Sequence, residues 1–284
     1  MKFENIRVYN FEGALRGMRN PKNSWHLSDS YFGIVNEYGF DECVGNVAKA
    51  WVASMNLNNS DLEGWEYESR VEWLQTNGIR WVNENNVECN LIGPKDMKLA
   101  TALINGGSEH RKFLRQILVS VDITAPLYWW KEFDTYKVGT TANSTSTMHK
   151  LDSKPITIDC FEIGDYDDSL AAGAVPETGD PIPAGAYVDD FIMFLENLRL
   201  KYKETGDKRF WKELVRWLPE SWLQTRTVTM NYENLLSMVH QRQHHKLVEW
   251  SAQQESGMPF ANDSFIKFAH TLPYSDEFIF VSKD

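Results

Sequence analysis

Cysteine is scarce in this chain, with three in 284 residues. Cys43, Cys89 and Cys160 stand far apart, odd in number and without any C-x-x-C spacing. That excludes a disulfide scaffold and suggests buried or idle thiols in a reducing compartment. Long apolar runs are also missing. The most apolar stretch, 117–130, contains Asp122 and Pro126 and is too short to span a bilayer. The first thirteen residues, broken by Glu4, Arg7 and Glu12, hold no signal-peptide core, so a cytoplasmic location is expected. Positive charge is in deficit: 29 Lys and Arg face 40 Asp and Glu, a net −11. Such a chain repels nucleic-acid phosphate, which leaves room only for a local basic pocket taking one small anion.

What is present is an ordinary globular composition, 42% hydrophobic and 24% charged. A chain of this length buries roughly three quarters of its unfolded surface and needs no metal or disulfide staple. Alternation over 6–11 predicts an opening strand, and the polar stretch 17–30 a loop. Helices are expected over 61–75, stopped by Asn77-Gly78, and over 95–104, ended by Gly106-Gly107. Ser108 reads as the cap of a further helix, with Phe113, Leu114, Ile117 and Leu118 at helical spacing. The hydroxyl-rich segment 137–150 has almost nothing to bury and reads as a loop or a ligand-facing stretch. Residues 156–163 alternate as a strand, and 171–185 is the clearest loop. Helices follow over 190–203, 209–218 and 231–250, then a late strand over 278–281. The expectation is one α+β domain over 1–284, with a helix-rich second half and a small antiparallel sheet.

Common catalytic signatures are absent: there is no G-x-G-x-x-G, G-x-x-x-x-G-K-[ST], G-x-S-x-G or H-E-x-x-H. His240 and His244 lie four apart, but no acidic third ligand has a familiar spacing, so no metal site is expected. Two arginines on predicted helices stand out instead. Arg216 lies one turn before Pro219, and Arg242 sits in the last long helix. A guanidinium offers a fixed fork of donors suited to phosphate or a base carbonyl, although surface ion pairing is the commoner use.

Four blocks across about 95–255 then fall in a recognisable order. They are Leu-Ile-Asn-Gly-Gly-Ser-Glu-His at 103–110, the segment 136–148, Arg-Trp-Leu-Pro at 216–219, and an Asn-led helix running from Asn231 to Arg242. Together they resemble the flavin-dependent thymidylate synthases (the ThyX family). The family signature R-H-R-x-x-S-x-N-x-x-S-x-R, laid on 136–148 without a gap, matches at Asn143 and Ser146, and Thr141 replaces a serine. The R-H-R triplet is Tyr136, Lys137 and Val138, the last arginine is Met148, and the upstream glutamine is Phe133.

The resemblance implies a divergent enzyme that uses FAD, with NADPH and methylenetetrahydrofolate as co-substrates. It would transfer a one-carbon unit and hydride to a pyrimidine deoxynucleotide such as dUMP, within a homotetramer. It implies Arg242 as the catalytic group that polarises the pyrimidine, and Arg216, Ser146 and Thr141 as substrate contacts. Glu109, His110, Asn143 and Asn231 would line the flavin, with Tyr136 and Lys137 standing in for the lost triplet. No nucleic-acid or membrane partner is implied. The bland readings remain beside these: Ser146, Thr141 and Asn231 as helix caps, Glu109 as a first-turn charge, His110 as a core histidine. Replacement of the whole triplet also leaves a second function open, a non-catalytic nucleotide-binding or structural protein on the same scaffold.

Overall fold

The computed structural model describes residues 1–55, 60–146, 150–251 and 263–281, with backbone alone for 60–63. In chain order the strands are β1 Lys2–Tyr9, β2 Tyr31–Asn36, β3 Ile79–Asn83, β4 Asn86–Leu91, β5 Leu118–Pro126, β6 Thr141–Ser144, β7 Ala171–Ala174, β8 Pro181–Pro183 and β9 Leu223–Asn231. The first five helices are α1 Phe11–Arg19, α2 Phe40–Ser54, α3 Ser60–Gly78, α4 Pro94–Asn105 and α5 Leu127–Phe133. The later ones are α6 Ala184–Thr205, α7 Lys208–Arg216, α8 Tyr232–Arg242, α9 Val248–Ser251, α10 Phe265–His270 and α11 Ser275–Phe278. The mixture of helices with small sheets, two of them antiparallel, is the α+β class that the sequence suggests.

Two compact units form, each from three separate stretches of chain. The first comprises 1–6, 121–228 and 243–266. Most of a four-stranded sheet of order β1-β5-β9-β6 falls within it. Asp122 of β5 ties β1 to β9, accepting from Asn5 Nδ2 (2.7 Å) and Thr227 Oγ1 (2.6 Å). The α5 sequence LYWWKEF buries Trp129, Trp130 and Phe133, and Trp129 stacks on Trp250 with centroids 4.4 Å apart. A second apolar cluster joins Leu195 of α6 and Leu214 of α7 to Leu151, Ile156 and Phe161.

The second unit comprises 7–120, 229–242 and 267–284. Its antiparallel sheet β2-β4-β3 buries Val87, Cys89 and Leu91 of β4 against Val44, Val47 and Ala48 of α2 and Leu74 of α3. Alternation along NVECNL delivers those three side chains to one face, as a period of two requires. A second focus is aromatic. Phe11 meets Tyr232 and Tyr274 edge-on, at 5.8 and 5.7 Å, and the Tyr274 hydroxyl donates to Asn90 O (2.7 Å).

Several expectations change. The opening strand begins earlier and stops at Tyr9, and α1 then runs to Arg19, so the expected loop from residue 17 starts inside a helix. The helix expected after Ser108 is a short 3-10 turn, Lys112–Gln116, followed by β5. There Val119, Val121, Ile123 and Ala125 are buried on alternate positions, and the period of two prevails over four apolar residues at helical spacing. The strand expected over 156–163 is a 3-10 turn, Ile158–Cys160, with one isolated bridge from Phe161 to Trp222. The loop over 171–185 contains the hairpin β7–β8 and the start of α6. The helix expected over 231–250 stops at Arg242 and resumes only at Val248, and no strand forms over 278–281, where α11 ends at Phe278 and a turn follows.

Candidate functional site

In the second unit, α4 ends at Asn105, and Gly107 follows with φ +95, a left-handed conformation that favours glycine. Its carbonyl accepts from the backbone N–H of His110 (3.0 Å) and Arg111 (3.1 Å). The tight reversal presents Glu109 and His110 to the surface. Arg111 is anchored by Glu233, its Nε donating to both carboxylate oxygens at 3.1 and 2.9 Å. Beneath the turn lies a cavity of about 420 Å³. Met18, Leu99, Leu103 and Phe113 supply apolar walls, and Lys22, Ser24, Glu109, His110, Lys112 and Gln116 supply polar groups. A mostly apolar hollow of this size with a few convergent polar groups has the character of a small-molecule site.

The loop that forms one wall is held by a buried carboxylate. Asp96, wholly inaccessible, accepts from Arg19 Nε, Ser28 Oγ (2.5 Å) and Ser30 Oγ (2.6 Å). Arg19 Nη1 also donates to Ser24 O (3.3 Å). Asp29 then caps α4, accepting from the N–H of Lys95 (2.9 Å) and Asp96 (3.2 Å). Gly93 permits the close approach, since a Cβ there would sit 2.3 Å from the Asp29 carbonyl oxygen. Pro21, Lys22 and Ser24 therefore sit on a fixed support.

Glu109 is exposed and pairs with Lys112 at 2.8 Å. The hydrogen bond from Lys112 holds its carboxyl below the usual range, so at neutral pH it is an ionised acceptor. His110 is exposed beside it. Asn231, buried at the end of β9, accepts from Asn234 N (2.9 Å) while Asn234 Oδ1 accepts from Asn231 N (3.3 Å). That reciprocal pair opens α8, so the capping role is realised. Arg242 ends α8 half-buried.

The other sequence-predicted residues belong to the first unit. Thr141 and Asn143 are exposed on β6, Ser146 is half-buried just after it, and Met148 lies outside the described residues. Tyr136 is half-buried, its ring 6.4 Å from Trp250, whereas Lys137 and Val138 are exposed. Arg216 is exposed and pairs with Glu213 of its own helix.

Arg226 was not apparent from the sequence. It shares one face of β9 with Gln224 and Val228, both buried. Its guanidinium lies 4.2 Å from the centroid of buried Trp130, Nε donates to Gln224 Oε1 (3.0 Å), and Nη1 donates to Asp134 Oδ1 (2.7 Å). Nη2 makes no hydrogen bond among the described residues. The fork is thus pre-oriented with donor capacity to spare. Gln224 Nε2 in turn donates to Thr145 O (2.9 Å), and Thr145 N donates to Thr225 O (2.8 Å). These bonds bring the hydroxyl-rich segment alongside the strand that carries Arg226. The signal in the sequence was an arginine in register with inward-facing positions of an alternating run.

Among the described residues no three His, Cys, Asp or Glu side chains cluster as metal ligands. His240 Nε2 lies 3.1 Å from Val281 O. No helix of the described residues is long and apolar enough to cross a membrane.

No family model matches the chain, and no curated protein does. Solved structures do. The flavin-dependent thymidylate synthase ThyX from Helicobacter pylori, complexed with FAD and dUMP, is 14% identical, with 98% of each chain covered and a TM-score of 0.53. A second structure of that ThyX with FAD and dUMP gives the same identity and TM-score over 99% of this chain and 97% of the other. A UMP/dUMP methylase, PolB from Streptomyces cacaoi, covers 66% of this chain and 82% of its own at 13% identity, with a TM-score of 0.44 too low to bear on the fold. The chain shares the fold of the flavin-dependent thymidylate synthase structures.

Proposed function

We propose that this chain is a nucleotide-modifying enzyme that methylates a pyrimidine deoxynucleotide with the help of a bound flavin. The observation that carries the reading is that Glu109 and His110, singled out by the family-like block, line a preformed 420 Å³ cavity. Its apolar walls and polar rim fit a flat heteroaromatic ring system, which needs apolar faces and hydrogen-bonding edges. A bound flavin would supply the hydride, with NADPH and methylenetetrahydrofolate as the sources of electrons and carbon. Glu109 would accept from an N–H edge, and His110 with Lys22 would offer donors to carbonyl or phosphate oxygens. Tyr136, Lys137, Asn143 and Asn231 remain proposed flavin contacts on the resemblance alone.

For the nucleotide, Arg226 is better prepared than Arg216. A guanidinium already stacked on Trp130 and held by two hydrogen bonds loses little freedom on meeting a phosphate or a base carbonyl. We assign it the anchoring role, with Ser146 and Thr141 as hydroxyl contacts; for Arg242, the polarising role toward the pyrimidine carbonyl is proposed on the resemblance alone. A homotetramer in the cytoplasm belongs to the same proposal.

The exposed Lys137 and Val138 favour a second reading, a nucleotide-binding scaffold without flavin. Lys137 falls on the triplet's histidine and is a point charge, while Tyr136 and Val138, on its two arginines, supply no fork. The deciding experiment is the visible absorbance spectrum of the purified protein after FAD is added and the excess removed, followed by a methylation assay with dUMP. A retained flavin spectrum and product support the enzyme. A colourless protein that still binds dUMP supports the scaffold.

A further inference from the structure

A second cavity, of about 220 Å³, lies wholly within the first unit and shares no residue with the Glu109–His110 cavity. Its walls are largely apolar, with Ile158, Val188 and Ile192 beside the rings of Phe161, Tyr166 and Phe191. A dry cavity of about 150 Å³ already accepts benzene. This one therefore has room for a single ring with a short side chain. Two observations define what that molecule is. First, the Tyr166 hydroxyl oxygen is shut off from solvent and has no hydrogen-bond partner among the described residues, which costs free energy in an apolar setting. Glu162 is already engaged: its Oε1 accepts from Gly164 N (2.8 Å), and its Oε2 pairs with the N-terminal ammonium (2.7 Å).

Second, the surroundings are acidic, although the N-terminal ammonium answers Glu162. From 155 to 198 the chain has no lysine, arginine or histidine, while Asp and Glu recur throughout. Loss of hydration, the largest influence, and then the charges of Asp168, Asp189 and Asp167 hold the Tyr166 phenol above its ordinary pKa. Among the described residues neither Asp168 nor Asp189 forms an ion pair with a cationic side chain. An anion is repelled here, and a neutral ring leaves those carboxylates unanswered. Apolar walls, aromatic faces and a negative rim are together the requirements of an organic ammonium ion.

We propose that this cavity binds a small organic cation, a protonated amine carried on an aromatic body. The ring packs among Phe161, Phe191 and Ile192, an ammonium N–H donates to the Tyr166 oxygen, and the Asp168 and Asp189 carboxylates balance the charge. This holds whether or not the chain binds a flavin or a nucleotide.

The test is calorimetric titration of the full-length protein with three probes of matched shape: phenethylamine hydrochloride, neutral 2-phenylethanol and anionic phenylacetate. Phenethylamine is expected to bind most tightly, 2-phenylethanol roughly tenfold or more weakly, and phenylacetate not measurably. Ile192→Trp, which fills the hollow, should abolish the binding, and Tyr166→Phe should weaken it about tenfold. Asp168→Asn with Asp189→Asn, on the surface and harmless to the core, should remove the preference for the cation over the alcohol and flatten the salt dependence. Absence of phenethylamine binding by the folded protein overturns the proposal. So does equal affinity for cation and alcohol, or binding that survives both Ile192→Trp and the double substitution.

Discussion

A guanidinium is worth most where its geometry is set before the ligand arrives, and on this ground Arg226 and Arg216 part company. Arg226 is only 15% exposed, stacked and tethered, whereas Arg216 is 54% exposed and paired within its own helix. Arg226→Lys keeps the charge but loses the fork and the stacking, and should weaken dUMP binding about tenfold or more by calorimetry. Arg216→Ala should change it by less than about fivefold, as exposed ion pairs contribute roughly 0–1 kcal/mol. A reversed order would return the anchoring role to Arg216. Glu277 carries a pH prediction. Burial, the largest influence, pushes its carboxyl above the usual carboxylate range, with Asp276 adding to the rise and Trp73 and Arg70 opposing it. A raised carboxyl pKa means that the folded state holds the proton more tightly than the unfolded chain does. The stabilising contribution is therefore full below about pH 4 and is lost as pH rises through the folded value. Glu277→Gln should raise the melting temperature at pH 7–8, with the gain vanishing near pH 4. A pH-independent difference would place its origin elsewhere.

At the scale of elements, what the sequence disclosed depended on which force formed each one. Helices with their own stops were legible: α3 ends at Asn77-Gly78 and α4 before Gly106-Gly107, as local propensity and punctuation require. Elements set by tertiary pairing were not. Asn231 looks like the opening of a helix, yet hydrogen bonding along β9 claims the chain up to Asn231, and only then does the Asn231–Asn234 cap start α8. The site divides in the same way. Glu109 and His110 follow a readable glycine turn, whereas Arg226 acquires meaning only when Trp130, Asp134 and Gln224 are brought to it from other segments. The loop beside the cavity gives this scale its prediction. Asp96→Ala leaves buried Arg19 without its carboxylate and removes the acceptor for Ser28 and Ser30. It should cost about 3–5 kcal/mol in denaturant unfolding. Asp96→Asn keeps the shape but loses the charge, and should fall between Asp96→Ala and wild type. Equal stability of all three would mean that the network contributes nothing.

On the scale of the whole molecule, the chain's order in sequence and its order in space are deliberately mismatched. The second unit begins with an apparently self-sufficient run, 7–120, that has its own three-stranded sheet and four helices. Its aromatic focus nevertheless comes from elsewhere. Tyr232 presses on Phe11, Phe278 meets Phe113 edge-on at 6.0 Å, and the wholly buried Tyr274 binds Asn90 O and the N–H of Ile92 through its hydroxyl. Asn77 Oδ1 accepts from Tyr274 N (2.9 Å), and Arg111 depends on Glu233. A fragment of residues 7–120 would uncover Phe11 and Phe113 and leave Asn90 and Ile92 without their partner. Each large apolar side chain returned to water forfeits roughly 1.5–3 kcal/mol, and several such losses exceed the margin of about 5–15 kcal/mol by which a domain is stable. The fragment should therefore show no cooperative unfolding by circular dichroism, although α3 and α4 keep local helical propensity. Cooperative melting of that fragment would mean that the α2–α3–sheet cluster stabilises itself, and that the distant segments of the unit are attachments to a core already complete.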